Sequence, residues 1–155
     1  MSIVKVREYL KKFGLENKIM EFDVSSATVE KAAIALNCKE QEIAKTLSFI
    51  VDDRPILIVT AGDSKVDNSK FKAEFHVKAK MIPFDDVERL VGHAVGGVCP
   101  FGVNENVEVF LDKSLKRFDT VYPAGGSSNS AIKLTLEELE RASNCKEWVD
   151  VCKIV

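Results

Sequence analysis

The stretch from Lys45 to Ala61 constrains the fold most. Lys45-Thr-Leu-Ser-Phe-Ile-Val51 alternates, with Leu47, Phe49 and Val51 on one face, and Asp52-Asp53 supplies a turn before Arg54-Pro-Ile-Leu-Ile-Val-Thr-Ala61 returns. A period of two, a two-residue turn and a second apolar run make a β-hairpin. The second strand is apolar on both faces, so it is expected to be central and buried.

Other elements are placed around this hairpin. Ile3, Val6, Leu10 and Phe13 recur at helical spacing, which predicts a helix over residues 2–13 ended by Gly14. Helices are also expected over 28–36, 68–75 and 84–91, with a short helical turn at 40–44. Strands are expected at 19–22, 78–82, 107–111, 120–124 and 131–134, and residues 148–151 are expected to close a sheet edge. Thr135 and Glu138 form a capping box that opens a last helix ending near Ala142. The elements alternate irregularly and include a hairpin, which predicts an α+β fold with a mixed, largely antiparallel sheet rather than a doubly wound parallel one. There is no repeat, low-complexity tract or linker, so one domain is expected over residues 1–155.

Composition excludes several classes. The longest apolar runs are short, so a membrane span is excluded. The first residues are charged and lack the apolar stretch of a signal peptide, and the expected location is cytoplasmic. Cys38, Cys99, Cys145 and Cys152 form no Cys-x-x-Cys pair, which argues for reduced thiols and against a zinc site. No metal and no cofactor are expected. The formal charge of −2 excludes a broadly basic nucleic-acid wrapper, leaving only local patches. One such patch lies at 65–80, where Lys65, Lys70, Lys72, Lys78 and Lys80 face only Asp67 and Glu74.

Three places could carry chemistry. Lys45 opens a strand; it is either a solvated edge residue or a cation leaning over a pocket mouth to hold a carbonyl or phosphate. Gly92-His-Ala-Val-Gly-Gly-Val-Cys-Pro-Phe-Gly102 can turn sharply and aim successive N–H groups at one point, or it is a structural loop. Ala124-Gly-Gly-Ser-Ser-Asn-Ser-Ala131 is turn chemistry that could also offer amides and hydroxyls to a ligand. Neither loop has the spacing of a phosphate loop, a dinucleotide fingerprint or a nucleophile elbow. No serine–histidine–aspartate triad or paired catalytic carboxylate can be assigned.

Taken together, Ala44-Lys45-Thr46-Leu47-Ser48-Phe49, Val95-Gly-Gly-Val-Cys-Pro-Phe-Gly102 and Ala124-Gly-Gly-Ser-Ser-Asn-Ser-Ala-Ile132 resemble the YbaK-type deacylases in order and spacing. These are free-standing relatives of the editing domain inserted in bacterial prolyl-tRNA synthetase. The resemblance implies a curved, mostly antiparallel sheet with surrounding helices. It implies hydrolysis, in trans, of the ester joining a wrong amino acid to the tRNA 3′ end. The expected substrate is tRNA-Pro carrying a small wrong residue such as cysteine or alanine, and prolyl-tRNA synthetase is an expected partner; DNA is not.

By the same resemblance, Lys45 holds the aminoacyl ester and terminal ribose, and the amides of Gly96 and Gly97 bind the carbonyl or oxyanion. His93, Val98 and Pro100, with Gly125, Gly126, Ser127, Ser128 and Asn129, border the substrate. The cysteinyl-specific branch tends to carry an arginine-containing turn after Ala-Gly. Gly126-Ser127-Ser128-Asn129 stands here instead, so no residue for amino-acid choice is carried over. Two other classes compete with this reading. One is a non-catalytic module that binds tRNA ends or a synthetase, and the other is a small-molecule or nucleotide-binding protein.

Overall fold

A computed structural model describes residues 2–155; Met1, the first residue of the expected domain, lies outside them. The hairpin forms as expected, from β2 (Ile43–Val51) and β3 (Arg54–Ala61), antiparallel with Val51 opposite Arg54. Asp52 and Asp53 both take positive φ, 52° and 64°, as the tight turn between twisted strands requires. Aspartate tolerates that region because its short polar side chain can bond locally.

The remaining elements are α1 (Ser2–Lys11), β1 (Ile19–Glu21), α2 (Val29–Leu36), β4 (Ser64–Val66), α3 (Asn68–Phe75), α4 (Val87–Val91), β5 (Glu108–Asp112), β6 (Thr120–Pro123), β7 (Ser130–Ile132), β8 (Leu134–Thr135), α5 (Leu136–Ser143), β9 (Glu147–Val149) and β10 (Cys152–Ile154). The main sheet has the order β8-β6-β2-β3-β5-β9, and the pairs β1-β7 and β4-β10 stand beside it. The chain is thus α+β with a curled mixed sheet, as expected. Among the described residues, four pairings are antiparallel, and β2-β6, β3-β5 and β5-β9 are parallel.

β3 is covered on both faces. Leu57, Val59 and Ala61 join the larger apolar cluster with Val6, Leu10 and Phe101. Ile56 and Ile58 join a second cluster with Phe49, Phe71 and Phe110. The capping box at Thr135 and Glu138 is present and starts α5.

Three details depart from expectation. β2 begins at Ile43, so Lys45 is its third residue and not its first. Residues 78–82 make no regular strand; an isolated bridge joins Met81 to Phe49, with bonds from Ile50 N to Lys80 O and from Ile82 N to Ser48 O. The expected strand 131–134 is split at Lys133 into β7 and β8, which pair with different partners.

Candidate functional site

The outer edge of β2 is occupied at both ends and open between them. β6 pairs with it only at Ile43 and Ala44, and the 80–82 segment bonds only at Ser48 and Ile50. Because Ser48 and Ile50 send their backbone groups outward, alternation sends those of Thr46 outward too, into the gap. A cleft of about 480 Å³ lies along this gap. Lys45, Thr46 and Ser48 line it from β2, Gly96 and Val98 from the glycine-rich loop, and Ser26–Thr28 from the start of α2. The hydroxyl oxygen of Thr46 is buried there without a partner.

Lys45 is half-buried, and its Nζ donates to the carbonyl of Ser64. Burial pushes its pKa below the usual lysine value, while the nearby Asp63 carboxylate works against that shift. A lysine in this position stands at a cleft edge and is not a freely solvated side chain.

The glycine-rich loop turns at Ala94–Gly97, closed by a bond from Gly97 N to Ala94 O of 3.0 Å. Gly96 sits at the third position with φ +95°, a conformation that position of a type II turn requires and a side chain would strain. Gly97 is needed for a different reason. A Cβ there would stand 2.6 Å from Ser127 N and 2.7 Å from Gly126 C, so the two loops meet backbone to backbone. The Gly97 amide is committed to the turn, which removes one of the two donors expected for an oxyanion. The Gly96 amide has no partner among the described residues.

Three segments make the wall. Ser26 N donates to Ser128 O at 2.7 Å, and Phe22 N donates to Asn129 O at 2.8 Å, which ties residues 22–28 across the 124–130 loop. On the far side of that wall a second cleft of about 670 Å³ is lined by Lys5, Arg89, Gly97, Gly126, Ser127 and Ser128, among others; Val95 lines both clefts.

The expected site residues thus divide. Lys45, Gly96 and Val98 share the first cleft, while Gly97, Gly126, Ser127 and Ser128 face the second. His93, Pro100, Gly125 and Asn129 line neither. His93 is fully buried, and its Nε2–H donates to Phe101 O at 2.6 Å, leaving Nδ1 without a partner. Burial holds its pKa below the usual histidine value, so the ring is neutral and staples the two ends of the loop. Cys99, whose thiol burial pushes up to about 12, lies 3.7 Å from that ring. Asn129 Nδ2 donates to Phe22 O. Gly125 is buried against Ser130.

The lysines of the 65–80 patch do not line either cleft, and Lys70 is paired with Asp150. Among the described residues no group of three or more metal-ligating side chains converges, and no helix is long and apolar enough to cross a membrane.

The sequence profile of the aminoacyl-tRNA editing domain matches residues 23–142, which hold the open β2 edge and both glycine loops. The chain belongs to the aminoacyl-tRNA editing domain family. A relative from Bacillus subtilis, the uncharacterized protein YwhH, is 51% identical over 154 residues, covering 99% of this chain and 98% of its own length. The proline–tRNA ligase of Streptococcus suis is 26% identical over 132 residues, where 82% of this chain corresponds to 20% of that longer protein. Among solved structures, a proposed trans-editing enzyme for prolyl tRNA synthetase superposes with a TM-score of 0.88 at 26% identity, covering 98% of this chain and 97% of that one. The hypothetical protein APE2540 superposes with a TM-score of 0.85 at 27% identity, covering 96% and 99%.

Some residues of the editing-domain cleft gave no sequence signal. Thr46, Ser26 and Tyr122 line it, yet each reads in sequence as an ordinary strand or loop residue. Met81 and Phe84, which stand at its rim, are 57% and 72% exposed.

Proposed function

We propose that this chain, as one domain over residues 1–155, hydrolyses the ester of mischarged aminoacyl-tRNA in trans. The proposed substrate is tRNA-Pro bearing a small wrong amino acid. The observation that carries the reading is the shared cleft along the open edge of β2, lined by half-buried Lys45 and by Gly96, whose amide has no partner among the described residues. Its volume lies within the usual range for small-ligand sites.

In this reading Lys45 holds the ester and terminal ribose as a cation. Water attacks the ester carbonyl, and the Gly96 amide donates to the oxygen that gains charge. The acyl–oxygen bond then breaks, the ribose oxygen leaves with a proton, and free amino acid and deacylated tRNA result. Gly97 and the 126–128 backbone keep the wall rigid. The exposed ring of Phe84 offers a face to the terminal adenine. The ester is already activated, so orientation and one well-aimed donor supply much of the acceleration. A triad or metal is therefore not required by the chemistry.

The test is a deacylation panel across mischarged tRNAs with the wild-type chain and Lys45→Ala. The expected loss is about 10²–10³-fold, the range for removing one stabilising donor. Full activity in Lys45→Ala refutes the role given to the lysine. A chain that binds tRNA but hydrolyses no member of the panel is a binding module instead.

A further inference from the structure

The second cleft takes no part in the hydrolysis proposed above, yet it lies across one ridge from the first. Ala94 lines the second cleft, Val95 lines both, Gly96 lines the first and Gly97 the second. The ridge is therefore a single β-turn, whose ends lie less than about 7 Å apart. Val95 in that turn is 44% exposed, so its apolar side chain is left open beside both clefts.

The two clefts differ in chemistry. The first is lined mostly by apolar side chains and by one cation, Lys45. The second holds Lys5 and Arg89 against one carboxylate, Glu88. Lys5 comes from α1, outside the family-matched span. Its Nζ donates to Gly92 O at 3.1 Å, which uses one of the three donors of an ammonium. Among the described residues no carboxylate pairs with it. Arg89, from α4, meets Asp86 at 3.1 Å in an exposed pair, which leaves most of its five donors free.

Acceptors stand beside these cations. Asn104 Nδ2 donates to Arg89 O and Leu90 O, both at 3.1 Å, which leaves Oδ1 as an acceptor. A Cβ on Gly92 would stand 2.9 Å from Asn104 Oδ1 and 3.0 Å from Lys5 Nζ, so the acceptor and the ammonium meet over bare backbone. Ser127 and Ser128 add hydroxyls from the 124–130 loop. Cations for phosphates, with acceptors and hydroxyls for ribose 2′-OH groups, are the donor set that a sugar–phosphate chain requires.

We propose that the second cleft binds the sugar–phosphate chain of RNA just upstream of the terminal nucleotide, with Lys5 and Arg89 on its phosphates and Val95 on the ridge it crosses. This rests on the terminal ribose of tRNA occupying the first cleft. Phosphates of one strand recur about every 3.4 Å of helix axis, so a chain leaving the first cleft reaches the second within a few nucleotides. A chain gripped on both sides of one ridge cannot slide, so the second grip orients the ester held at the first.

The experiment is binding of deacylated tRNA to the full chain, followed by fluorescence anisotropy across a salt series. Each single-strand phosphate contact contributes about 0.7 to the log–log slope. Lys5→Gln and Arg89→Gln are each expected to flatten the slope by about that amount, and Glu88→Gln, which removes the opposing charge, to tighten binding. Lys72→Gln, whose side chain lines neither cleft, is the control and is expected to leave the slope unchanged. A short single-stranded RNA is expected to compete for this binding, and AMP, with one phosphate, is expected not to compete at the same concentration.

Unchanged slopes in both Lys5→Gln and Arg89→Gln overturn the proposal; Lys5 then only caps α4. Weaker binding in Glu88→Gln also overturns it. So does an equal flattening in Lys72→Gln, which would spread the phosphates over the surface at large, or equal competition by AMP, which would mark a mononucleotide pocket. Arg89→Gln keeps the test decisive if Lys5→Gln, which disturbs the bond to Gly92 O, does not fold. Binding needs no hydrolysis, so slopes that flatten as expected in a chain that cleaves no ester keep this cleft's assignment and remove the proposed function.

Discussion

Replacing Gly97 with alanine places a methyl group where two loops touch. The new carbon would stand 2.6 Å from Ser127 N, 2.7 Å from Gly126 C and 2.7 Å from Ser127 Cα, all of them backbone atoms that cannot swing aside. Restoring an ordinary 3.4 Å contact requires the loops to part by about 0.8 Å. The 126–128 backbone is itself held by Ser26 N to Ser128 O and by Ser127 N to Ser130 Oγ, so its displacement strains those bonds. Overpacking of this kind costs about 1–3 kcal/mol. In a domain of this size, a Tm falls by roughly 2–4 °C per kcal/mol, which gives an expected drop of about 2–12 °C.

Gly96→Ala is the control. Its methyl has room, with Ala27 Cβ and Ser128 Cβ at 3.5 Å, but its φ of +95° strains any side chain by about 1–2 kcal/mol. The two variants therefore lose comparable stability by different routes. Urea or thermal unfolding measures the loss, and amide NMR shifts of residues 126–128 separate the routes. They should move widely in Gly97→Ala and little in Gly96→Ala. If Gly97→Ala costs less than about 0.5 kcal/mol, within the usual surface range, and leaves those amides in place, the loops do not meet as described.

The remaining expectations concern charge. His93 is held neutral, with a native pKa below its unfolded value, so the unfolded chain binds more protons as the pH falls below about 6.5. Stability should decline from there and level off below the native value, and a pH series of unfolding curves should show a smaller decline in His93→Gln; equal declines would place the ring in solvent. Binding of tRNA should depend weakly on salt, because the cations lining the two clefts are Lys45, Lys5 and Arg89. Three phosphate contacts correspond to a log–log slope of about −2 to −3, and a measured slope steeper than about −5 would show a larger basic surface at work.

The hairpin was legible because its two signals are local: alternation, and two aspartates that accept positive φ. The cleft was not legible, because it is a gap in pairing. It exists because β6 reaches β2 for only two residues and the 80–82 segment joins it only from Ser48 onward. Those contacts join residues far apart in sequence and leave no period in either segment. Lys45 was read as a strand start because alternation becomes visible there, whereas Ile43 and Ala44 extend the strand and draw the lysine inward. β4 and β10 are three residues each, too short for a period to declare itself. The glycines announced a backbone need, but only the geometry separates them. Gly96 supplies a positive φ and a free amide, and Gly97 supplies an absence of side chain.

The family-matched span, residues 23–142, contains Lys45, both loops and the open strand edge, but not everything that bears on them. α1, β1, β9 and β10 fall outside it. α1 brings Lys5 to the second cleft, where its Nζ donates to Gly92 O at 3.1 Å and fixes the entry to the glycine-rich loop. β10 backs the strand whose carbonyl receives Lys45. In the ligase of Streptococcus suis, the corresponding region is 20% of a longer chain, whereas YwhH matches this chain over nearly its whole length. Of the elements outside the matched span, α1 thus supports the second cleft and β10 backs the first. The near-zero net charge fits the same arrangement: of 22 lysines and arginines only Lys45, Lys5 and Arg89 line the clefts, and backbone carbonyls receive the two lysines.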